Sequence, residues 1–328
     1  MHGRALAVGS LLLLGQTSVS TVSGAGAIVT LDIDETTIAA GIEHSCAIHT
    51  HSYNDVGGRV LCWGSDYGGQ SSPPSGEFIQ VSSGRLHSCG IRIDESLECW
   101  GMGAPVKKPS GQFEQVSSGD FHSCAILKDQ SLQCWGSADE ERSSFSTNDT
   151  LAGTAVGGVA NPPAGQFVQV SCGKNFSCAI SVDGSVKCWG ENNQAGRMAR
   201  MSTGQLNVDP ELRFRQISAA PSEFACGVTD DNDVECWGDN HRGQATPPTN
   251  DKFALVSTSR LAACALKTDK TVTCWGMRSG VTAAPRDVQF DELTLGWNHG
   301  CGIRFEDGRV QCWGDRSNNR LDIPSALG

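Results

Sequence analysis

One stretch of the chain, residues 113–136, constrains the fold more than any other. It reads FEQVSSGDFHSCAILKDQSLQCWG and recurs with variations seven times between residues 35 and 314. A unit this short cannot bury its apolar face alone, so neighbouring units must stack and share a core. Such strong repetition favours a single closed array of repeats over several independent domains.

Each repeat predicts three short strands, the last two of which form a β-hairpin. In the stretch above, the first strand ends at the turn signal Ser-Gly. Residues 122–127 then turn through a three-residue loop centred on Asp129 and return as residues 131–135. Positions equidistant from the centre of such a loop face each other, so Cys124 lies opposite Cys134. The two thiols can meet across the hairpin.

The same pair of cysteines recurs in every repeat. Five of the seven pairs are ten residues apart with an Asp at the midpoint, and an Asp carboxylate bonds backbone N–H groups just ahead of it in a tight turn. We therefore predict seven disulfides within repeats: Cys46–Cys62, Cys89–Cys99, Cys124–Cys134, Cys178–Cys188, Cys226–Cys236, Cys264–Cys274 and Cys301–Cys312. Cys172 is left as the odd thiol. Cysteines in so regular an arrangement indicate an oxidising compartment.

The N-terminus and the overall charge predict export and argue against nucleic acid as a partner. Residues 1–27 contain a short basic start, an apolar run and an Ala-Gly-Ala site, which predict a secretory signal peptide followed by a lead-in at residues 28–34. This apolar run is too short to span a bilayer, and no other apolar run is long enough. The net charge of -11 repels phosphate backbones. We expect a secreted, extracellular protein, or a periplasmic one in a bacterium, that binds no nucleic acid and does not insert into membranes.

The register of the repeats indicates a closed ring. An aromatic residue stands eleven positions before the first cysteine in five repeats, and a proline precedes the aromatic by four or five positions. The chain ends shortly after Pro324, where the next aromatic would stand, and repeat one begins at Glu35 in that same phase. An open array would more often carry polar caps. Residues 35–328 are therefore predicted to form an all-β, seven-bladed β-propeller, as a monomer, with three to four short antiparallel strands per blade.

Two phrases carry a resemblance to a known family: GDFHSCAI at residues 119–126 and GSVKCWGENNQAG at residues 184–196. They resemble the repeats of the regulator of chromosome condensation, which also occur in beta-lactamase inhibitory protein II. The Cys-x9-Cys-Trp-Gly version also resembles the extracellular repeats of Crinkly-type plant receptor kinases. The resemblance covers about residues 35–328. It implies a seven-bladed propeller used as a binding scaffold: for guanine-nucleotide exchange on a small GTPase, for enzyme inhibition, or as a receptor ectodomain. The exported, acidic and disulfide-bonded character of this chain disfavours nuclear exchange activity.

The repeated polar residues predict structural roles and no catalytic, cofactor or metal site. A His stands two positions before the first cysteine in four repeats: His44, His87, His122 and His299. We expect each imidazole to bond the backbone of a bend. His49 and His51 are too few to hold a metal ion. The Trp of each Cys-Trp-Gly triplet is expected to pack between blades, with a row of sugar-binding aromatics as the alternative. An enzyme acting on polysaccharide would need a non-repeated cluster of carboxylates or basic groups, which the sequence does not contain.

Two long connectors that depart from the repeat form the predicted partner-binding surface. Residues 137–161 carry an acidic run and a predicted glycosylation site at Asn148, and residues 191–212 carry arginines and methionines. A second sequon, at Asn175, is expected to be too buried for modification. The predicted partner-binding residues are Asp139, Glu140, Glu141, Arg197, Met198, Arg200 and Met201. We expect a protein as the partner, with a glycan as the alternative ligand; tolerated surface insertion and an adhesive matrix role are the other interpretations.

Overall fold

The computed structural model describes residues 38–50, 57–104, 109–136, 158–192 and 204–328, and the predicted signal peptide and lead-in lie outside them. The described residues form twenty-one β-strands and one short 3-10 helix at Ser317–Asn319. In chain order the strands are β1 Ile38–Ala40, β2 His44–His49, β3 Arg59–Gly64, β4 Phe78–Ser83, β5 His87–Arg92, β6 Leu97–Gly101, β7 Phe113–Ser118, β8 His122–Leu127, β9 Leu132–Gly136, β10 Phe167–Cys172, β11 Phe176–Ser181, β12 Val186–Gly190, β13 Phe214–Ala219, β14 Phe224–Thr229, β15 Val234–Gly238, β16 Phe253–Thr258, β17 Ala262–Lys267, β18 Val272–Gly276, β19 Phe290–Leu295, β20 His299–Arg304 and β21 Val310–Gly314. Within these ranges, none of the helical structure is long and apolar enough to cross a membrane.

The strands pair into seven three-stranded antiparallel sheets, each built from one repeat. In the blade of β7, β8 and β9 the strands are hydrogen-bonded in chain order, because a bend joins the first two strands and a tight hairpin joins the last two. The first strand of each blade is innermost, and residues of all seven inner strands line a central cavity of about 190 Å³. The predicted all-β, seven-bladed propeller is confirmed, with three strands in each blade.

The hairpins have the register that the cysteine spacing predicts. Cys124 pairs directly with Cys134, and Gln130 closes the loop with a positive φ of 67°. The N–H of Ser131 donates to Asp129 Oδ1 at 3.0 Å. Hydrogen bonds from the hydroxyl and the N–H of Ser131 hold the pKa of the Asp129 carboxyl below its ordinary value. Asp129 therefore shapes the turn, and its carboxylate is already occupied.

Disulfide bonds join the two facing strands of the hairpin in every blade. They are Cys46–Cys62, Cys89–Cys99, Cys124–Cys134, Cys178–Cys188, Cys226–Cys236, Cys264–Cys274 and Cys301–Cys312. The Cα atoms of each pair are 4.0 or 4.1 Å apart, as residues directly opposite each other in an antiparallel pair should be. Cys172 is a free, buried thiol.

The hydrophobic core lies between blades. Phe253, at the start of an inner strand, packs with Phe224 and Val228 of the preceding blade. Burying such a ring contributes about 1.5–3 kcal/mol. The triplet Trp residues complete these interfaces, and Trp237 donates from Nε1 to the carbonyl of Gln205 at 3.0 Å. Five other triplet Trp residues donate to a connector carbonyl in the same way, so this row packs between blades.

Side-chain hydrogen bonds join neighbouring inner strands, which the sequence analysis did not anticipate. Gln115 Oε1 accepts from the N–H of Val170 in the next blade at 2.6 Å, and Gln115 Nε2 donates to the carbonyl of Val170 at 3.2 Å. Ser117 Oγ accepts from the N–H of Cys172 at 2.9 Å. Equivalent hydroxyl bonds occur at five other joints. The Gln and the Ser of the repeat thus connect strands that share no backbone ladder.

Blade seven closes the ring on blade one. The imidazole of His299 and the hydroxyl of Ser45 are 2.8 Å apart, and Trp63 Nε1 donates to the carbonyl of Arg320 at 2.9 Å. The Arg320 guanidinium is buried and pairs with Glu43 of the first blade at 3.2 Å. The segment after the last strand therefore covers the first blade, as each connector covers the blade that follows it.

Candidate functional site

The propeller has two ends with different chemistry. The bend face carries the bends that join inner to middle strands, at residues 41–43, 84–86, 119–121, 173–175, 220–223, 259–261 and 296–298. The turn face, at the opposite end, carries the hairpin turns between middle and outer strands. Outer strands run towards the bend face, so each connector starts there: the N–H of Met277 bonds the carbonyl of Leu261 in a bend at 2.8 Å.

Close backbone packing between blades shapes the bend face. The N–H of Gly119 bonds the carbonyl of His122 at 2.8 Å and closes the bend. A Cβ atom at Gly119 would lie 2.2 Å from the carbonyl oxygen of Gly173 in the next blade. Only glycine permits this approach, and Gly41 and Gly84 pack in the same way. The bends therefore form a tight ring around one mouth of the central cavity.

Buried histidines link the blades beneath this ring. His87 Nε2 lies 2.8 Å from the hydroxyl of Ser123 in the next blade, and three other joints repeat this pair. The expectation that these imidazoles bond the bend backbone is therefore wrong, because the touching backbones bring the neighbouring hydroxyl within reach. Burial lowers the pKa of His44 and His122 to about 3 and that of His87 and His299 to about 4. All four imidazoles are uncharged near pH 7.

One cluster of described residues has the spacing of metal ligands but not their chemistry. Candidate ligand atoms of His122, Cys124 and Cys172 lie within 4.8 Å of one another. Cys124 is bonded to Cys134, and burial raises the pKa of the Cys172 thiol to about 11. Neither sulfur offers the thiolate that binds metal ions, so these residues do not fit a metal site.

Exposed apolar side chains occur on the bend face. Tyr67, in the connector after blade one, is 86% exposed, and Met277, in the connector after blade six, is 39% exposed. Met102 follows blade two at the position of Met277, and its N–H bonds the carbonyl of Leu86 at 2.8 Å. Aromatic residues and methionine are enriched where proteins contact one another. The bend face therefore has the composition of an interface.

Two arginines on this face stack on aromatic rings of the next blade. The guanidinium carbon of Arg85 lies 4.9 Å from the ring centre of Phe121, and that of Arg260 lies 4.9 Å from the ring of Trp297. The two arginines and their aromatic partners lie one or two positions before the buried His, or before the residue that replaces it. The residue types at these positions differ from repeat to repeat. These residues were not predicted, because the partner-binding residues were sought only in connectors that depart from the repeat. The variation at these two positions was the sequence signal that could have identified them.

Charged side chains on the turn face are largely paired. The Lys252 ammonium lies 2.8 Å from Asp233, and that of Lys270 lies 2.7 Å from Asp291. Exposed apolar residues also occur at its hairpin turns: Ile93 is 53%, Val182 55% and Phe305 51% exposed, and the Lys270 ammonium lies 3.4 Å from the ring centre of Phe305. Isolated apolar residues of this kind are ordinary on protein surfaces. Among the described residues the turn face therefore differs from the bend face in its ion-paired charges and not in a lack of exposed apolar side chains.

The predicted partner-binding residues and the predicted glycosylation site all lie outside the described residues: Asp139, Glu140, Glu141, Asn148, Arg197, Met198, Arg200 and Met201. Their connectors nevertheless start on the bend face. A Cβ atom at Gly136 would lie 2.4 Å from the carbonyl oxygen of Phe121, and the N–H of Glu191 bonds the carbonyl of Asn175 at 2.8 Å. At the other end of the second connector, Gln205 Nε2 donates to the carbonyl of Glu191 at 2.9 Å. Both insertions are attached to the same face.

The second sequon, at Asn175, is poorly placed for modification in the folded protein. The third residue of this sequon, Ser177, is fully buried. Its hydroxyl lies 2.7 Å from Nε2 of His122, which belongs to the preceding blade. The Asn175 amide donates to Glu191 Oε2 at 3.0 Å. A glycan on this amide would break the contact that holds the start of the connector.

Comparison with known proteins identifies the repeats. The family model of the regulator of chromosome condensation (RCC1) repeat matches residues 113–140, 167–196, 214–244 and 291–320. A comparison with curated protein sequences found no match.

Solved structures share the fold over most of the chain. The CRINKLY WD40 ectodomain from the Arabidopsis thaliana receptor kinase ACR4 has a TM-score of 0.67 and 25% sequence identity, covering 89% of this chain and 98% of that one. The ectodomain of the Physcomitrella patens receptor kinase CR4 has a TM-score of 0.66 and 21% identity, covering 85% and 73%. Yeast RCC1 (Prp20), solved bound to Kap60, has a TM-score of 0.58 and 16% identity, covering 76% and 72%.

The protein is thus a seven-bladed β-propeller with a disulfide in every blade. Four of its seven repeats match the regulator of chromosome condensation repeat, as the sequence resemblance implied, and its architecture is that of a propeller also found in a plant receptor ectodomain.

Proposed function

We propose that this protein is a secreted, non-catalytic binding module that captures another protein through its bend face. The observation that carries the proposal is the composition of that face, where Tyr67 and Met277 are exposed and Arg85 and Arg260 stack on Phe121 and Trp297. Aromatic residues, methionine and arginine are the residues enriched in protein interfaces, and Trp, Tyr and Arg most often carry the binding energy.

Three observations support an extracellular setting. Seven disulfides are typical of proteins in an oxidising compartment. A receptor-kinase ectodomain has the same architecture at 25% identity. The predicted signal peptide at residues 1–27, which lies outside the described residues, would direct the chain to this compartment.

Propellers of the same repeat type supply a precedent for protein binding. Yeast RCC1 (Prp20) was solved bound to Kap60, and a second Prp20p structure is described together with its binding to Gsp1p and histones. Those partners belong to that protein. What carries over to this chain is the use of a rigid ring of blades as a platform for surface residues that vary between repeats.

The rival proposal, an enzyme acting on polysaccharide, receives little support from the central cavity. The central cavity of about 190 Å³ is smaller than the roughly 300–1,000 Å³ of ordinary ligand pockets. Asp120 is the one carboxylate among its described lining residues, whereas glycoside hydrolysis generally uses two. The cavity hydroxyls, such as that of Ser117, are engaged by backbone N–H groups of the next blade.

A pair of glycan-blocking variants tests the proposal. Arg242→Thr creates an Asn-x-Thr acceptor at Asn240, which is exposed at the bend-face start of a connector. A glycan there replaces the hydrogen bond from the Asn240 amide to Thr246 Oγ1, so the melting temperature of this variant is compared with that of the parent. Lys252→Thr creates the same acceptor at Asn250, near the turn face of the same connector. Both variants are produced in a eukaryotic secretory host, immobilised beside the parent, and exposed to extracellular fluid from the native source.

We expect the glycan at Asn240 to abolish capture of the partner that the parent retains, and the glycan at Asn250 to leave capture unchanged. Loss of capture with the Asn250 glycan alone would move the interface to the turn face. Equal capture by all three proteins would reject the bend face as the interface.

A further inference from the structure

The charges of the bend face are unevenly distributed. In blades six and seven, three arginines occupy surface positions: Arg260 in a bend, and Arg278 and Arg316 in the connectors that follow the two blades. All three are exposed, and among the described residues none of them has a carboxylate within ion-pair distance. Together with Met277 and Trp297 they form what we call the arginine patch.

One contact between bends and one between connectors hold the members of the patch side by side. Arg260 covers the ring of Trp297 at 4.9 Å, which joins the two bends. A Cβ atom at Gly280 would lie 2.9 Å from the Cα atom of Gly314, so the connectors that carry Arg278 and Arg316 touch each other. The patch is therefore one continuous surface that crosses two blades.

The carboxylates nearest to this surface already have partners. Asp315 lies 2.7 Å from the buried Arg320 guanidinium, which also pairs with Glu43 at 3.2 Å. Glu223, in the bend of blade five, pairs with Lys174 at 4.0 Å. Arg320 thus shares one positive charge between two carboxylates, and the three exposed arginines of the patch still leave a local excess of positive charge in a chain whose net charge is -11.

We infer that the arginine patch is the docking site for an acidic, partly apolar segment of the protein partner. The planar fork of a guanidinium binds a carboxylate through two parallel hydrogen bonds, and stacking on Trp297 holds the Arg260 fork in place before the partner arrives. Met277 supplies an adaptable apolar contact beside the charges. Arginine together with aromatic and thioether surface matches an acidic peptide with apolar side chains better than a purely anionic ligand.

This inference rests on the proposed binding function and names the part of the bend face that would recognise the partner. The probe is a fluorescein-labelled peptide rich in Glu and Leu, measured by fluorescence anisotropy against the full secreted protein. The same peptide with Gln in place of every Glu is the matched probe. Heparin is the third probe, because a sulfated glycan would use the same charges without the apolar contact.

The test variant combines Arg260→Ala, Arg278→Ala and Arg316→Ala. We expect at least a tenfold loss of affinity for the Glu peptide, about 1.4 kcal/mol. The parent should bind the Glu peptide more tightly than the Gln peptide, and its affinity should fall as salt is raised. Because all three side chains are exposed, the melting temperature should stay close to that of the parent.

The matched control removes the same number of charges from the turn face, through Arg59→Ala, Arg286→Ala and Arg309→Ala. We expect this control to bind the Glu peptide as the parent does, because a nonspecific effect of net charge would weaken both triple variants equally. A fourth protein, Arg260→Lys, keeps the charge but loses the planar fork, and should bind with intermediate affinity.

Two results would overturn the inference. One is equal binding of the Glu peptide by the parent and the patch variant. The other is heparin binding that depends on the patch while the Glu peptide does not bind, which would assign the patch to a sulfated glycan. Neither result bears on whether the glycan at Asn240 blocks capture of the native partner. The failure of this inference is therefore distinguishable from the failure of the proposed bend-face binding.

Discussion

The buried histidines predict a specific sensitivity to acid. The pKa of His87 falls from an ordinary value of 6.5 to about 4, because the blade joint excludes water from the imidazole. In the unfolded chain His87 takes up a proton as the pH falls through 6.5, whereas in the folded chain it does not until about pH 4. The stability that the neutral imidazole contributes is therefore complete above pH 6.5 and is lost progressively between pH 6.5 and pH 4.

The size of the effect follows from the shift. Each pKa unit is worth about 1.4 kcal/mol, so at pH 5 His87 alone removes about 2 kcal/mol from the free energy of unfolding. His44, His122 and His299 have pKa values lowered in the same direction and add to the loss. Carboxyl groups with lowered pKa values, such as that of Asp129, change the free energy of unfolding at still lower pH. They therefore contribute little to the loss of stability between pH 6.5 and pH 4.

The chain itself supplies the variant that isolates this effect. Four joints pair a His with a Ser of the next blade, whereas the joint between blades four and five has Phe176 and Ala225 at the same two positions. The double substitution of His87→Phe with Ser123→Ala copies that joint. We expect the double variant to lose about 2 kcal/mol less than the parent between pH 7 and pH 5, measured by urea unfolding with the disulfides intact.

Ser123→Ala alone is the control, because it removes the hydrogen bond to His87 but keeps the buried imidazole. It should therefore lower stability at pH 7 and retain most of the parent's sensitivity to acid. If the parent and the double variant lose the same free energy between pH 7 and pH 5, His87 does not stay neutral in the folded protein and the reasoning fails.

Three further predictions concern the ring and its thiols. Cys172→Ser should change the free energy of unfolding by less than about 1 kcal/mol, because Ser118 stands at the same position in the previous blade, and thiol labelling in denaturant should fall from one group to none. Arg320→Ala should destabilise the ring by about 2 kcal/mol through the lost contacts to Glu43, whereas Arg320→Gln, which copies Gln244 of another connector, should be milder in urea unfolding. Deleting residues 285–328 removes a whole blade and should give aggregates in size-exclusion chromatography, and a soluble, cooperatively melting product would contradict the need for closure.

Much of the fold could be predicted because its determinants are local. A cysteine pair ten residues apart around an Asp defines one hairpin register, and Cys124 faces Cys134 in the structure as that register requires. The number of blades followed from counting repeats, and closure followed from the phase in which the repeats begin and end. These features depend on short segments, so they did not require knowledge of how one blade sits on the next.

The candidate site could not be predicted in the same way. Departure from the repeat pointed to the two insertions, whose predicted contact residues lie outside the described part of the chain, and not to the bends. Phe121 and Arg85 belong to different repeats and meet only because adjacent blades touch. Variable residues at one repeated position become a surface only when the ring places them on one face.

The sequence by itself determined the hairpins, the cysteine pairing within them and the count of seven blades, since each depends on residues close together along the chain. Only the tertiary structure decided the partners between blades. Gln115 reaches the backbone of Val170 across a separation of 55 positions, and His122 reaches Ser177 across the same separation. Such contacts depend on the spacing and angle of two blades, which are properties of the packed core and of the close approach that Gly119 permits.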